Sequence, residues 1–286
     1  MRILRTVREL RTWSREERSR EERNDGGRTI GLVPTMGALH AGHASLIRAA
    51  ADSCRRVAVS IFVNPTQFGP NEDFARYPRT FDADCALAEA EGAEVIFAPS
   101  VEELYPGAAA TFVEVEGLSS RLDGASRPGH FRGVATVVSK LFVAAEPDRA
   151  FFGQKDAAQV AVLRRMTADL RLDTEIVACP IVREPDGLAL SSRNIYLSTD
   201  ERKQALVLSR AVGKAAALAA AGERNAEVLI AAARAEFAGE PAVHVDYIEL
   251  VEWATLLPVG MAAPGSLFAV AALVGPTRLI DNTILD

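Results

Sequence analysis

Hydrophobic positions recur with two different periods in the N-terminal two thirds of the chain, and segments of the two kinds alternate. Four segments have helical spacing: HASLIRAAADSC, FDADCALAEAEG, GVATVVSKLFVAAE and AAQVAVLRRMTADL. Short apolar runs separate them: RTIGLVPT, VAVSIFVN, AEVIFAP, RAFFG and TEIVACPI. Continuous apolar runs are typical of strands that are buried on both faces. The pattern therefore predicts an α/β fold, a parallel sheet with helices on both faces.

The two ends of the chain depart from this alternation. Residues 4–23 mix charges of both signs around one apolar stripe, which predicts an amphipathic edge helix that NDGG then ends. Toward the other end, alanine-rich helical segments precede two strand-like segments, VHVDYIELV and SLFAVAALVGPTRLIDN. Short strands with turn signals between them predict antiparallel pairing.

This change of pattern predicts two domains. We expect a larger α/β domain over residues 1–183 and a smaller C-terminal α+β domain over residues 184–286. REPDG, at the boundary, is the best candidate for a hinge between the domains, because Pro185 and Gly187 favour a turn there. The smaller domain is expected to act as a lid that keeps water from a reactive intermediate.

Composition narrows the classes of protein that fit. The chain has 286 residues, 49% of them hydrophobic, but no apolar run of the ~20 residues that a bilayer requires. Its start has no signal-peptide pattern, and its three cysteines are widely spaced, so we expect a cytoplasmic protein. A net charge of −6 argues against a broad nucleic-acid surface, so we expect neither a nucleic acid nor a membrane as partner.

VPTMGALHAGH, residues 33–43, follows a predicted strand and opens a predicted helix. Ligands of open parallel sheets bind beyond the carboxyl ends of strands, where helix N-termini attract phosphate. Gly37 and Gly42 allow close backbone approach, and His40 and His43 can face the same side. We interpret the segment as a polyphosphate site. Zinc is disfavoured because no third ligand has a suitable spacing, whereas simple capping of the helix remains an alternative.

Two further segments carry residue types that bind phosphate. FFGQKDAAQ places Gly153, Lys155 and Asp156 at the end of a predicted strand, and LALSSRN places two hydroxyls beside Arg193. Each has a plainer interpretation, an ion pair at the surface for the first and a polar loop for the second. Three such groups in one α/β chain favour a phosphate site over the plain interpretations taken together.

A third kind of segment, SIFVNPTQFGPNEDFARYPRT, is an irregular loop after another predicted strand. Loops at this edge of a sheet commonly carry substrate contacts. We expect such contacts from Asn64, Gln67 and Tyr77. In the following helix, Asp82 and Asp84 are interpreted as residues of the helix start, or as carboxylates that touch a metal through water.

Taken together, these segments make the chain resemble the pantothenate synthetase family. The members of this family are ligases of the nucleotidyltransferase superfamily, which have a HIGH-type signature and a Rossmann-like core. The resemblance runs over nearly the whole length through VPTMGALHAGH, SIFVNPTQF, YPRT, RPGHFRGVATVVSKLF, FFGQKD, DGLALSSRN and RLIDN. It implies ATP-dependent condensation of pantoate with β-alanine through a pantoyl adenylate, with release of pyrophosphate and AMP. It also implies a homodimer.

The resemblance implies roles for particular residues. The ATP site would comprise Met36, Gly37, His40, His43, Gly153, Gln154, Lys155, Asp156, Val182, Leu190, Ser191, Ser192 and Arg193. The catalytic residues would be His43 as proton donor, with His40, Lys155 and Arg193. Gln67 and Gln159 would bind pantoate, and Mg²⁺ would accompany ATP without a dedicated metal site in the protein. Relatives often carry glutamate at Gln154 and glutamine at Ala158.

Two other classes of function compete with this one. Another nucleotidyltransferase, acting on a phosphorylated pantetheine-like or nucleotide substrate, would keep the histidine signature but leaves Gln67 and Gln159 without a role. A tRNA-binding fragment of a synthetase, or an inactive binding module, fits neither the acidic balance nor the intact set of His43, Lys155 and Arg193.

Overall fold

The computed structural model describes residues 1–21, 30–70, 72 and 74–286, and these form two compact units. Unit 1 comprises Met1–Gly153 and Val162–Cys179, and unit 2 comprises Gln154–Ala161 and Pro180–Asp286. The chain thus enters unit 2 twice, first for a short segment after Gly153 and finally at Pro180. The predicted domain boundary at 183/184 and the lid role stay predictions.

Unit 1 contains a six-stranded parallel sheet, which confirms the predicted fold class. Its strands are β1 (Arg2–Leu4), β2 (Ile30–Thr35), β3 (Arg56–Ile61), β4 (Val95–Phe97), β5 (Arg149–Gly153) and β6 (Glu175–Cys179). The spatial order is β1-β4-β3-β2-β5-β6. The chain leaves β2 toward β3 on one side, while β5 pairs with the other side of β2. The carboxyl ends of β2 and β5 therefore flank the switch point at which open α/β sheets bind ligands.

Helices α1 to α7 lie between these strands along the chain, and the first residues of α7, up to Ala161, belong to unit 2. These helices are α1 (Val7–Glu21), α2 (Ala41–Ser53), α3 (Phe81–Ala90), α4 (Val101–Leu104), α5 (Asp123–Ser126), α6 (His130–Ala145) and α7 (Ala157–Asp169). The predicted helix over 4–23 begins only at Val7, because Arg2–Leu4 instead pair with β4 and bury Leu4. The NDGG turn lies outside the described residues. None of the described helices is long and apolar enough to cross a membrane.

Unit 2 contains the antiparallel sheet expected from the C-terminal pattern. Strands β7 (Val243–Glu252), β8 (Ser266–Val274) and β9 (Thr277–Leu285) follow helices α8 (Thr199–Ala220) and α9 (Ala226–Glu236). Helix α8 begins with a capping box in which Ser198 and Glu201 satisfy each other's backbone N–H. Alanines of α8 pack on the apolar face of the sheet around Phe268 and Val270, so the alanine bias lets helix and sheet approach closely.

Candidate functional site

The signature turn, residues 36–43, follows the carboxyl end of β2 and needs an unusual backbone. Gly37 has φ +83° and Ala38 has φ +51°, so two successive residues lie in the left-handed region. A Cβ atom at Gly37 would lie 3.0 Å from a carboxylate oxygen of Asp84. Only glycine combines this conformation with this close approach. The hydroxyl of Thr35 supports the turn by accepting from the Gly37 N–H at 3.2 Å.

Asp84 anchors the same turn from α3. Its buried carboxylate accepts hydrogen bonds from the backbone N–H of Ala38 at 3.0 Å and of Leu39 at 2.8 Å, and from the hydroxyl of Thr80 at 3.0 Å. The sequence predicted a helix-start residue or a contact to metal through water. Asp84 is indeed in the first turn of α3, but its carboxylate binds the signature turn. Charge-assisted bonds of this kind hold a strained backbone in place.

His40 and His43 cap α2, as the plainer interpretation of the sequence held. The Nδ1 atom of His40 accepts from the Gly42 N–H at 3.1 Å, and the Nδ1 atom of His43 accepts from the His40 N–H at 3.3 Å. The two rings lie 4.1 Å apart. Because each Nδ1 accepts, these partners assign the ring hydrogen of both neutral imidazoles to Nε2. Capping therefore orients two Nε2–H groups, and such groups can donate hydrogen bonds to phosphate oxygens.

Gln67 has its side-chain amide oriented by Asn64. The Nδ2 atom of Asn64 donates to Gln67 Oε1 at 3.0 Å, which leaves the Gln67 NH₂ group to act as donor, and this group lies 3.1 Å from Met36 Sδ in the signature turn. Asn64 itself is 1% exposed. Its remaining groups bond to the Gly133 carbonyl, to Thr66 and to the Tyr105 hydroxyl. The protein thus satisfies both donors and the acceptor of the Asn64 amide.

The backbone carbonyl of Gln67 is held by residues of the RPGHFRG segment. His130 Nδ1 lies 2.8 Å from this oxygen, and Arg127 Nη1 lies 2.9 Å from His130 Nε2. Because arginine can only donate, His130 accepts at Nε2 and carries its hydrogen on Nδ1, which donates to Gln67. Arg127 also binds Glu72 through two bonds of 2.6 and 2.7 Å. Glu72, Arg127 and His130 therefore form one chain of contacts that ends on Gln67.

Burial, followed by the charge of Arg127, lowers the pKa of His130 to about 4, although the Gln67 carbonyl and the nearby carboxylates of Glu72 and Asp123 act in the opposite direction. The unfolded chain therefore binds more protons than the folded one between about pH 6.5 and pH 4. Stability is lost as the pH falls through this window, by about 3 kcal/mol in total. Urea unfolding at pH 7.0 and pH 4.5 measures the loss.

His130→Asn provides the comparison for that measurement, because asparagine does not titrate. The variant is expected to be less stable at pH 7 but to lose less stability between the two pH values than the unsubstituted protein. Carboxylates distant from His130 contribute equally to both proteins, so the difference between the two losses reports His130 together with its charge interactions with Glu72 and Asp123. Equal losses would contradict the proposed neutral, half-buried imidazole.

Gly133 explains why α6 and the loop after β3 approach so closely. A Cβ atom there would lie 2.3 Å from the Thr66 carbonyl oxygen and 2.6 Å from the Gln67 nitrogen, so any larger residue displaces this loop.

Tyr77, predicted to contact substrate, is buried and packs edge-on against Phe68 with ring centroids 6.0 Å apart. Its substrate role stays a prediction.

In unit 2, Gln154–Asp156 form a single 3₁₀ turn directly after β5. Lys155 Nζ lies 3.0 Å from Asp156 Oδ1, so the plainer interpretation, an ion pair, also describes this structure.

Gln159 is half-buried two positions beyond Ala157 in α7, whereas Ala158 is 2% exposed. The methyl group of Ala158 is therefore buried, and its effect on the pantoate site stays a prediction.

The other predicted nucleotide residues of unit 2 lie on a small hairpin. Leu190 N–H donates to the Val182 carbonyl at 2.9 Å, and the REPDG segment forms the turn between them. Ser191 Oγ accepts from the Arg193 N–H at 3.3 Å, which starts the 3₁₀ turn Ser192–Tyr196. REPDG is therefore a turn within unit 2, and its role as a hinge stays a prediction.

Several residues that hold the candidate site residues in place are not indicated by the sequence: Asp84 as turn anchor, Glu72, Tyr105, Arg127, His130, Gly133 and Asn282. The strings RPGHFRG and RLIDN had contributed only to the family resemblance. Their polar residues are separated from their partners by dozens of residues, so neither spacing nor period indicates the contact.

The chain is similar over its whole length to pantothenate synthetases. The family model for pantoate-beta-alanine ligase matches residues 2–284. The pantothenate synthetase of Acidobacterium capsulatum is 61% identical over 290 residues, which cover 100% of this chain and 97% of that protein. That of Koribacter versatilis is 56% identical, with coverage of 100% and 96%.

Solved structures agree with this similarity. The crystal structure of pantothenate synthetase from Thermus thermophilus matches with a TM-score of 0.91 and 44% identity, covering 99% of each chain. The pantoate-beta-alanine ligase of Francisella tularensis, complexed with Beta-gamma ATP and β-alanine, matches with a TM-score of 0.78 and 32% identity, covering 99% of this chain and 97% of that one.

Proposed function

Because the chain belongs to the pantoate–β-alanine ligase family and so joins pantoate to β-alanine at the expense of ATP, we propose that it does so through a pantoyl adenylate. The pantoate carboxylate attacks the α-phosphorus of ATP, and pyrophosphate leaves. The amine of β-alanine then attacks the acyl carbon, and AMP leaves with the electron pair of the broken acyl–oxygen bond.

The signature turn is the observation that carries this proposal. It lies at the carboxyl end of β2, beside the switch point of the sheet, and the capping contacts of His40 and His43 orient both rings with hydrogen on Nε2. Adenylate formation concentrates negative charge on phosphate oxygens, so preorganised donors and cations stabilise it. We propose His43 as the proton donor and His40, Lys155 and Arg193 as the groups that stabilise this charge.

The proposed ATP site keeps the full predicted set: Met36, Gly37, His40, His43, Gly153, Gln154, Lys155, Asp156, Val182, Leu190, Ser191, Ser192 and Arg193. ATP bound to the relative from Francisella tularensis supports ATP as the nucleotide. Lys155 would exchange its contact with Asp156 for one with phosphate, which is feasible because both side chains are partly exposed.

Pantoate is proposed to bind Gln67 and Gln159 through neutral amides, and β-alanine to approach Gln67. A guanidinium would bind the ground-state carboxylate so strongly that binding lost on the way to the transition state would slow the reaction. Since Asn64 has its amide fully paired within the protein, we assign it a positioning role: it orients the Gln67 NH₂ group toward the substrate.

Mg²⁺ is proposed to arrive with ATP. Among the described residues, no group of three or more metal-ligating side chains is close enough to hold an ion. The donor set therefore suits an ion bound mostly by phosphate oxygens and water, as Mg²⁺ prefers. Asp84 does not suit this role, because its carboxylate already accepts three hydrogen bonds.

A pyrophosphate-exchange assay tests the order of events. With pantoate present and β-alanine absent, the enzyme should move labelled pyrophosphate into ATP, and the complete reaction should yield AMP. Activation through an acyl phosphate would yield ADP instead, and a concerted ligation would require β-alanine for any exchange. Either result would overturn the adenylate.

Gln67→Glu is expected to raise the KM for pantoate at least tenfold while the KM for ATP changes little. Glutamate preserves the acceptor for Asn64 Nδ2 but replaces the NH₂ donor with a carboxylate oxygen that repels the carboxylate of pantoate. Steady-state kinetics with each substrate varied separately give both constants. An equal rise in the two constants would remove Gln67 from the pantoate site.

We also propose a cytoplasmic homodimer that binds no nucleic acid. The net charge of −6 and the three widely spaced cysteines support the compartment and the absence of a nucleic-acid surface. Light scattering of the purified protein would test the dimer.

A further inference from the structure

Asn282, near the end of β9, bonds to the turn that follows β5. Its Nδ2 atom donates to the backbone carbonyls of Gln154 at 3.0 Å and Lys155 at 2.9 Å. Its Oδ1 atom accepts from Gln154 Nε2 at 3.2 Å. Three hydrogen bonds thus join one side chain to two consecutive residues that are 127 and 128 positions away in the sequence.

The orientation of this amide follows from its partners. Carbonyl oxygens can only accept, so the group that faces them must be the NH₂ of Asn282. Its oxygen then faces Gln154, whose amide must present its own NH₂. Asn282 is 3% exposed, so a lost bond would not be replaced by bulk water.

The neighbouring residue makes a parallel contact. Asp281, 2% exposed, binds Arg183 through two bonds of 2.6 and 2.9 Å, and Arg183 also donates to the Gly187 carbonyl at 3.1 Å. Arg183 directly follows Val182. Two consecutive residues of the last strand therefore hold both the turn at Lys155 and the hairpin of Val182.

We propose that Asn282 is a positioning residue for ATP, which acts by fixing the backbone of Gln154 and Lys155. The inference rests on the proposed role of Lys155 in binding phosphate. A single 3₁₀ turn has few internal hydrogen bonds to hold it, so bonds from another element decide where the Lys155 side chain starts. Displacements of about 1 Å at such a position cost about 10²-fold in rate.

The test substitutes Asn282 with aspartate and, separately, with serine. Asn282→Asp keeps the shape and the acceptor for Gln154 but places an oxygen against two carbonyl oxygens, so both backbone bonds are lost. The KM for ATP in pyrophosphate exchange should rise by about 10- to 100-fold, with little change in the KM for pantoate. Calorimetric titration with ATP gives the affinity without turnover.

Leu279→Ala is the matched control on the same strand. Leu279 is buried in the core of unit 2, and its truncation lowers the melting temperature without touching the turn. A purely structural loss reduces the active fraction, and hence kcat, but leaves KM values unchanged. An ATP KM that rises as much in Leu279→Ala as in Asn282→Asp would overturn the proposal.

A double-mutant cycle identifies the residue through which Asn282 acts. In a Lys155→Ala background, Asn282→Asp should have little further effect, because the side chain that it positions is gone. Fully additive effects would contradict action through Lys155. Failure of both Asn282 variants to fold would assign this residue to stability alone and end the proposal. If the wild-type enzyme shows no pantoate-dependent exchange, the proposed adenylate is refuted instead. That result is obtained before any variant is compared, so the two failures can be distinguished.

Discussion

His43→Ala is expected to lower the rate of pantoate-dependent pyrophosphate exchange by about 10²-fold or more, the contribution typical of a well-placed proton donor. In the structure, the His40 N–H binds Nδ1 of His43 and so assigns the ring hydrogen to Nε2. Alanine removes that hydrogen and also the capping contact. Exchange measured with pantoate and without β-alanine isolates the first half-reaction, in which this donor is proposed to act.

His43→Gln separates the two contributions. Its amide can donate from nearly the position of Nε2 but cannot reproduce the contact at Nδ1. We expect its exchange rate to lie between those of the alanine variant and the wild type, with a loss of stability similar to that of the alanine variant. Wild-type exchange in His43→Ala would remove His43 from the mechanism.

Lys155→Ala is expected to reduce exchange by about 10²- to 10³-fold, as loss of one charge-stabilising group in a preorganised site does. The same change should alter the free energy of unfolding by only about 1 kcal/mol, because the structure pairs Lys155 with a half-exposed Asp156 and such pairs contribute little. Exchange kinetics and thermal unfolding of the same preparation measure both effects.

Lys203→Ala is the matched control for this lysine. Lys203 likewise pairs with an aspartate, Asp200, at 3.1 Å, but on the surface of α8. Its loss should leave both exchange and melting temperature unchanged. If Lys155→Ala instead melts far below the wild type, the residue has a structural role and the loss of activity no longer reports phosphate binding.

Much of the fold could be predicted because its signals are local. Apolar runs such as RAFFG and helical segments such as AAQVAVLRRMTADL indicate the type of each element and its buried face within a few residues. The alternation of the two kinds of segment predicts a parallel sheet. The same holds for the turn at REPDG, where proline and glycine determine the backbone. Glycines and histidines after β2 also predicted a phosphate-binding turn, a role that stays a prediction.

Two features of the signature turn illustrate where local signals end. The capping by His40 and His43 lies within four residues, and sequence analysis could name it as an alternative. The anchoring by Asp84 joins residues 45 and 46 positions apart, and in sequence the residue looks like any acidic group at a helix start. The short strand β1 is a second example. The sequence places Leu4 in the apolar stripe of a predicted helix, but in the structure Leu4 pairs with β4 at the edge of the sheet.

By itself, then, the sequence determined the kinds of element, their order along the chain, the family and the residue types available for phosphate and pantoate. Only the tertiary structure decided the order of strands in the sheet and the partners that orient each candidate residue: Asp84 on the turn, Asn64 and His130 on Gln67, and Asn282 on Lys155. The physical reason is that hydrophobic period and turn chemistry are set by neighbours in sequence, whereas a hydrogen bond depends on distances of about 3 Å between groups that the chain brings together only on folding.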